Sequence, residues 1–237
     1  MAAQNFIFRS DGVEILYKSK NAVVIYKPSG IPSQSDLSGD SDAQKITSEL
    51  LREMGEESNL YLVHRLDRVV AGLMIFARNK KSAAILSDII AAGEGIGKEY
   101  IAVCEGKISF SSMEDYLTKD SRQNKALVVD KERKGAKLAS AECTLLSEKV
   151  TDRGVRSLVK ISLKTGRFHQ IRAQLSSRGA AIVGDAKYGS RDKSSRSVAL
   201  SSAAISLDLG AEKISVKALP DLSVYPWNLF SAEEYNM

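Results

Sequence analysis

The segment YLVHRLDRVVAGLMIFAR, residues 61–78, places polar side chains between two apolar runs. The flanking runs are rich in β-branched, aromatic and aliphatic residues, which is typical of buried strands. His64, Arg65 and Asp67 lie between them. Burying an unpaired carboxylate costs on the order of several kcal/mol. An acid at the junction of two buried strands therefore requires a partner or a chemical role.

The rest of the chain predicts an α+β fold built around a mixed, mainly antiparallel sheet. Helical spacing is confined to three segments, 43–54, 80–92 (with Gly93 as a stop) and 168–179. Strand-like runs outnumber them and do not alternate regularly with helices. These runs lie at 13–17, 22–26, 72–78, 99–104, 126–129, 141–146, 155–163, 198–207 and 213–217. We expect one domain over residues 1–237, with a few helices flanking the sheet.

Composition indicates a globular cytoplasmic protein. Hydrophobic residues make up 43% of the 237 residues and charged residues 27%. No apolar stretch approaches the roughly 20 residues that span a bilayer, and the N-terminus lacks a signal-peptide pattern. Cys104 and Cys143 both lie in apolar segments, which favours reduced thiols. We therefore expect cytoplasmic localisation, no membrane association and a monomer.

Positive charge is concentrated in two segments of a chain whose net charge is +5. Residues 118–140 carry seven Lys or Arg against three acids, and residues 187–196 carry four against one. Such clusters suit a polyanion such as nucleic acid. Charge alone favours the alternative that these are simply solvated loops.

Reactive side chains lie next to predicted structural elements at three places. They are the HRLD of residues 64–67, the KEY of residues 98–100, and KTGRFHQIR, residues 164–172, where a strand gives way to a helix. A helix N-terminus there would offer N–H groups to phosphate. Each alone has a simpler explanation as a salt bridge, a core tyrosine or a solvated basic helix.

Other chemistries find little support in the sequence. Two histidines and two cysteines without C-x-x-C spacing make a closed zinc site improbable. The G-x-S-x-G elbow of many serine hydrolases is absent, and so are the common phosphate-binding loops GxxxxGK[ST] and GxGxxG.

Taken together, these motifs resemble those of the RluA-type pseudouridine synthases. The family pattern runs H-R-L-D-x-x-T-S-G-L, then K-x-Y, then T-G-R-x-H-Q-[IL]-R, then G-x-P-[IL]-x-G-D-x-x-Y. The N-terminal ILYKSKNAVVIYKPSGIPSQ also matches the family's opening. The resemblance covers about residues 13–190, in the expected order. The small N-terminal RNA-binding domain of many ribosomal members is not expected here.

The resemblance implies an enzyme that isomerises uridine to pseudouridine in structured RNA, ribosomal or transfer, without cofactor or metal. It makes Asp67 the essential acid, which either attacks the sugar or assists cleavage. Tyr100 would stack on the uracil and abstract the proton, and Ile171 would pack on its other face. Arg172 would pair with Asp67 and lower the pKa of that acid.

The same resemblance assigns further residues to the substrate. Arg65 would fill the gap left by the flipped base. Phosphates or the uracil edge would be contacted by Arg167, His169 and Gln170. His64 and Lys98 complete the set of predicted substrate-binding residues.

The sequence departs from the family pattern at a few positions. Val70 and Ala71 replace the Thr-Ser pair, which removes two hydroxyls suited to supporting the loop. Ala181 replaces a proline, and Ser201 or Ser202 stands where a late histidine is usual. A catalytically silent RNA-binding protein on the same scaffold is the main alternative. A metal-dependent hydrolase, which a chelator would inactivate, is a third.

Overall fold

In a computed structural model, the described part of the chain folds into strands and three α-helices. The structure describes residues 9–10, 12–35, 39–93, 95–195, 197–210 and 212–235. The strands and helices in chain order are β1 (Arg9–Ser10), β2 (Val13–Lys18), β3 (Ala22–Lys27), α1 (Ala43–Glu53), β4 (Tyr61–Leu62), β5 (Ala71–Ala77), α2 (Lys80–Ala92), β6 (Ile96–Glu105), β7 (Ser112–Asp120), β8 (Lys125–Val129), β9 (Lys137–Thr151), β10 (Gly154–Leu163), α3 (Gln170–Ser177), β11 (Leu200–Asp208) and β12 (Lys213–Lys217).

The chain divides into two compact units. The first comprises Met1–Lys98 and Ser202–Leu219, and the second comprises Glu99–Ser201 and Pro220–Met237. The boundaries fall inside β6 and β11. The expectation of a single domain stays a prediction. None of the helices in the described part of the chain combines the length and apolarity needed to cross a membrane.

Antiparallel pairing organises the first unit. Strands β1, β2, β3 and β5 are neighbours in that order, β4 also pairs with β5, and β12 pairs with β11. Helix α2 begins where the Asn79 side chain accepts a 2.8 Å hydrogen bond from the N–H of Ser82. It ends at Gly93, whose φ of 74° lies in the left-handed region that glycine tolerates. The predicted helix 80–92 and its glycine stop are confirmed.

The core of the first unit forms where β3 and β5 bury consecutive apolar residues. The two strands run antiparallel, with Val24 opposite Ile75. Their shared face packs on Leu86 of α2 and on residues of β11 and β12. This rigid layer carries the segment that follows β4.

An antiparallel sheet with non-consecutive neighbours organises the second unit. Its order is β6, β10, β9, β7 and β8. A small core joins this sheet to α3 through Leu117, Ala126, Ala139, Ala173 and Tyr188.

Most predicted elements are confirmed, and the α+β class with them. Three expectations need correction. The strand β7 was not predicted, and α3 begins at Gln170 rather than near residue 168. The basic segment 118–140 is mainly strand, because β7 ends in it, β8 lies within it and β9 begins in it.

Candidate active site

Asp67 lies in the connection between β4 and β5, as the sequence predicts. These strands pair antiparallel, with Tyr61 opposite Ala77 and Leu62 opposite Phe76. We call the connection, residues 63–70, the HRLD loop. Inside it, the N–H of Val70 donates a 3.0 Å hydrogen bond to the carbonyl of Asp67. The acid is thus mounted between two paired strands of the first unit.

His64 secures the start of the HRLD loop. Its Nε2 accepts a 3.0 Å hydrogen bond from the N–H of Ile75 in β5. The imidazole therefore takes the place of a further β4 residue in the ladder. Burial, together with the positive charge of Lys98, lowers the pKa of His64 to about 3. The ring is neutral at physiological pH, with its proton on Nδ1.

A second loop, residues 27–33, supports the HRLD loop from β3; we call it the KPSG loop. The Ser33 hydroxyl donates to the Leu66 carbonyl over 2.7 Å and accepts from the Leu66 N–H over 3.0 Å. The Ser29 hydroxyl donates to the Val69 carbonyl over 2.8 Å. These two serines hold the chain on both sides of Asp67.

Backbone contacts strengthen the same support. The N–H of Gly30 donates to the Arg68 carbonyl over 2.8 Å, and the Arg68 Nε donates to the Gly30 carbonyl over 2.8 Å. Asp40 forms an ion pair with the exposed Arg68 guanidinium. Residues 66–69 are therefore fixed through both main chain and side chains.

Lys27 places a buried ammonium group beneath the two loops. Its Nζ donates to the carbonyls of Pro28 (2.9 Å), Ile31 (2.8 Å) and Arg68 (3.4 Å). Burial lowers the pKa of Lys27 to about 7. The negative charge of Asp67 opposes this shift, and the positive charge of Arg68 adds to it. Burial also lowers the pKa of Lys98, which is one of the predicted substrate-binding residues and lies in the first unit.

In the second unit, Arg172 is buried and makes a two-pronged ion pair. Its Nε and Nη2 donate to the two carboxylate oxygens of Asp185 over 2.7 and 2.9 Å. The Tyr188 ring lies 4.8 Å from the guanidinium carbon. Such a pair fixes the guanidinium plane. The pairing of Arg172 with Asp67 stays a prediction.

The turn before α3 is held by Gln170 and His169. The Gln170 amide oxygen accepts from the Arg167 N–H (2.9 Å) and the Thr165 hydroxyl (2.8 Å). His169 has a φ of 50°, rare outside glycine, and its Nδ1 lies 2.8 Å from the Tyr188 hydroxyl. Arg167 and His169 precede the helix rather than lying in its first turns, which corrects the predicted helix start.

The remaining predicted residues are placed as follows. Tyr100 is buried in β6, opposite Ile161 of β10. Ile171 is buried in α3. The exposed side chain of Arg167 reaches back to the Leu138 carbonyl, 2.8 Å from its Nε, and Arg65 is exposed in the HRLD loop. Their roles toward a base or phosphate stay predictions.

Sequence reasoning assigned no role to Asp185, Lys27 or Ser33. Asp185 is the acid of the G-D-x-x-Y motif, and Lys27 opens KPSG, so both lay within quoted motifs. Ser33 lies in the same quoted N-terminal stretch as Lys27, but its spacing there does not indicate a contact with the HRLD loop. Within the described ranges, no three His, Cys, Asp or Glu side chains are grouped so as to hold a metal ion.

Comparison with known proteins identifies the family. The model of the RNA pseudouridylate synthase family matches residues 21–177. The chain belongs to this family. The resemblance to RluA-type enzymes is thereby confirmed, and the matched region contains the HRLD loop, the KEY motif and the start of α3.

Individual relatives agree with this assignment. The chain is 29% identical to the ribosomal large subunit pseudouridine synthase D of Borreliella burgdorferi, over 95% of this chain and 71% of that protein. It is 33% identical to the mitochondrial tRNA pseudouridine(32) synthase of Saccharomyces cerevisiae, over 74% of this chain and 37% of that protein. The solved structure of human RNA pseudouridylate synthase domain containing 1 has the same fold, with a TM-score of 0.75 at 21% identity over 91% of this chain and 86% of that chain.

Proposed function

We propose that this pseudouridine synthase isomerises uridine to pseudouridine in structured RNA, with Asp67 as its essential acid. The observation that carries the proposal is the position of Asp67 in an HRLD loop held on both sides by Ser29 and Ser33. Catalytic groups need to be held within a fraction of an ångström of the productive geometry. A loop tied at Leu66 and Val69 meets that requirement.

The reaction breaks the bond between the sugar C1′ and the uracil N1 and forms a bond from C1′ to C5. The C5 proton then leaves and N1 takes up a proton, so the product is an isomer of uridine. In the proposed mechanism the Asp67 carboxylate either attacks C1′ or assists cleavage of the bond between C1′ and N1. Tyr100 takes the C5 proton. The buried Lys27 ammonium lies within electrostatic reach of Asp67, whose negative charge raises the pKa of Lys27 against the lowering effect of burial.

Arg172 is proposed as the partner of Asp67 on the second unit. Its ion pair with Asp185 supports this role, because two hydrogen bonds leave the guanidinium in one orientation. Tyr100 and Ile171 are proposed to sandwich the flipped uracil.

The proposal extends to the class of RNA substrate, the oligomeric state and the cellular location. Relatives are named for ribosomal and for transfer RNA, and both classes are proposed substrates to be tested. We propose that the protein works as a monomer in the cytoplasm. The buried, unbridged Cys104 and Cys143 are consistent with a reducing compartment.

The decisive test is tritium release from RNA labelled at C5 of uracil, with no added metal or nucleotide. Wild-type protein should release tritium. Asp67→Asn keeps the side-chain shape and removes the charge, so RNA binding should survive while release falls to background. Asp88→Asn, an exposed acid on α2, is the matched control and should release tritium at the wild-type rate.

Two outcomes would contradict the proposal. Release by Asp67→Asn at the wild-type rate would remove that residue from the chemistry. Absence of release by wild-type protein from both ribosomal and transfer RNA, with binding retained, would indicate a silent RNA-binding scaffold.

A further inference from the structure

The segment 190–194, Ser-Arg-Asp-Lys-Ser, directs its acid inward and its bases outward; we call it the SRDKS loop. Asp192 is buried, whereas Arg191 and Lys193 are exposed. A solvated loop has no reason to sort its charges in this way. The sorting leaves cationic side chains alone on the outer side of the loop.

Glu105, at the end of β6, anchors the front of the loop. One of its carboxylate oxygens accepts three hydrogen bonds, from the Ser190 hydroxyl (2.6 Å), the Arg191 N–H (3.0 Å) and the Asp192 N–H (3.1 Å). The backbone between the two basic residues is therefore fixed.

Asp192 anchors the centre of the loop. Its carboxylate accepts from the Arg156 guanidinium (2.7 Å), from the Tyr225 hydroxyl and from the Ser194 N–H (2.9 Å). Burial would raise the pKa of Asp192, but the hydrogen bonds from Tyr225 and Arg156 outweigh it and hold that pKa well below its usual range. The loop is thus tied to β10 and to the C-terminal segment.

A third cation joins the loop from the β9–β10 turn. The exposed Arg153 donates to the Ser194 hydroxyl, lies 3.8 Å from an Asp192 oxygen and stacks over the Tyr225 ring at 5.6 Å. Pre-ordered cations lose less side-chain entropy on binding than mobile ones. The ordered guanidinium of Arg153, next to two exposed basic residues on the anchored backbone of the SRDKS loop, suits a repeating anion.

The loop is also connected to the candidate active site of the second unit. The Ser190 N–H donates to the Asp185 carbonyl over 3.1 Å, and Asp185 holds Arg172. A group bound by the loop would therefore be positioned relative to Arg172 through one short, hydrogen-bonded connection.

We propose that the SRDKS loop, through Arg191, Lys193 and Arg153, is a pre-ordered binding surface for the sugar–phosphate backbone of the substrate RNA. The inference deepens the proposed function and depends on it. Phosphate contacts position a nucleic acid without reading its sequence. The loop would therefore add affinity and register while leaving the choice of uridine to other contacts.

The test is the salt dependence of RNA binding by Arg191→Gln/Lys193→Gln. Removing two phosphate contacts should reduce the slope of log K against log salt by about 1.4, at about 0.7 per contact on single strands, and weaken binding roughly tenfold at 0.15 M salt. Lys80→Gln/Lys81→Gln removes the same charge from the exposed start of α2 and should keep the wild-type slope. Thermal unfolding of all three proteins checks that the fold is intact.

Equal slopes for wild type and Arg191→Gln/Lys193→Gln would overturn the inference. So would an equal reduction in the Lys80→Gln/Lys81→Gln control, because net charge alone would then explain the effect. Neither outcome bears on tritium release by the wild-type protein. Failure of that release would instead overturn the proposed function.

Discussion

Lys27 is buried inside the first unit, and its ammonium donates hydrogen bonds to the main-chain carbonyls of Pro28, Ile31 and Arg68. Burial lowers its pKa from 10.5 to about 7. Between these values the unfolded chain holds a proton that the folded chain has lost. Folding stability therefore rises with pH in that window, by at most about 1.4 kcal/mol per pH unit.

This linkage predicts how Lys27→Met should behave. The variant lacks the titrating group, so the free energy of unfolding of wild type relative to Lys27→Met should increase from pH 7 to pH 10. Urea unfolding at each pH unit in this range measures the difference. Two parallel stability curves would mean that Lys27 titrates near its ordinary pKa despite its burial.

Arg65 is exposed in the HRLD loop beside the proposed catalytic acid. If it fills the space of the flipped base, Arg65→Ala should mainly slow conversion of paired RNA. The lost substitute stacking contact is worth on the order of 1–3 kcal/mol. A substrate whose target uridine is already unpaired should be affected less. Comparable losses on both substrates would place Arg65 in another role, such as an ion pair.

Among elements, the contact between the KPSG and HRLD loops fixes the chain around Asp67. Family members have Thr-Ser where this chain has Val70 and Ala71, and Val70 is buried. Here Ser29 and Ser33 supply hydroxyls from the opposite loop. The hydroxyls that hold the HRLD loop therefore come from the KPSG loop and not from positions 70 and 71.

Ser33→Ala should therefore impair turnover more than binding. Leu66 would lose partners for both its N–H and its carbonyl, which costs about 1–3 kcal/mol of stability. A shift of Asp67 by a fraction of an ångström should lower kcat by about tenfold to hundredfold. RNA affinity should stay within a factor of about two, since phosphate contacts dominate affinity. Single-turnover tritium release and filter binding measure the two effects.

Ser157→Ala is the matched control for that experiment. Ser157 is fully buried in β10 and donates to the Gly106 carbonyl over 2.8 Å, so its loss should lower stability without lowering kcat. Ser33→Thr keeps the hydroxyl and should restore turnover. If Ser33→Ala and Ser157→Ala lowered kcat equally, Ser33 would have only a general structural role.

The elements that sequence patterns predicted well are those with dense apolar burial. Strand β5 buries six of its seven residues, so its identity does not depend on neighbours. Strand β7 is mostly polar and buries only Met113 and Leu117 fully. Its pairing with β9 makes it a strand, and such pairing is a tertiary effect that local patterns do not contain.

At the candidate active site, the start of α3 shows the same limit of local sequence patterns. Periodicity extends back to residue 168, but the left-handed conformation of His169 delays the helix to Gln170. The ion pair of Arg172 with Asp185 joins residues 13 apart in the chain. The motifs identified both residues, yet the contact follows from the fold and not from their spacing.

At the scale of the whole molecule, the net charge of +5 is unevenly distributed. Residues 118–140 carry seven Lys or Arg against three acids. The structure makes most of this segment a β-hairpin arm of the second unit. The turn after β8 exposes Lys131, Arg133 and Lys134. Exposed cations on an ordered turn are suited to RNA phosphates, although solvation alone explains them equally well on charge grounds.

The triple variant Lys131→Ala/Arg133→Ala/Lys134→Ala separates these two explanations. If all three side chains contact phosphates, the slope of log K against log salt should fall by about 2, at about 0.7 per contact. Combining it with Arg191→Gln/Lys193→Gln should reduce the slope by about 3.5, because contacts at separate sites add. An unchanged slope in the triple variant alone would show that the turn after β8 is only solvated. RNA would then be held through other surfaces, of which the SRDKS loop is the one proposed here.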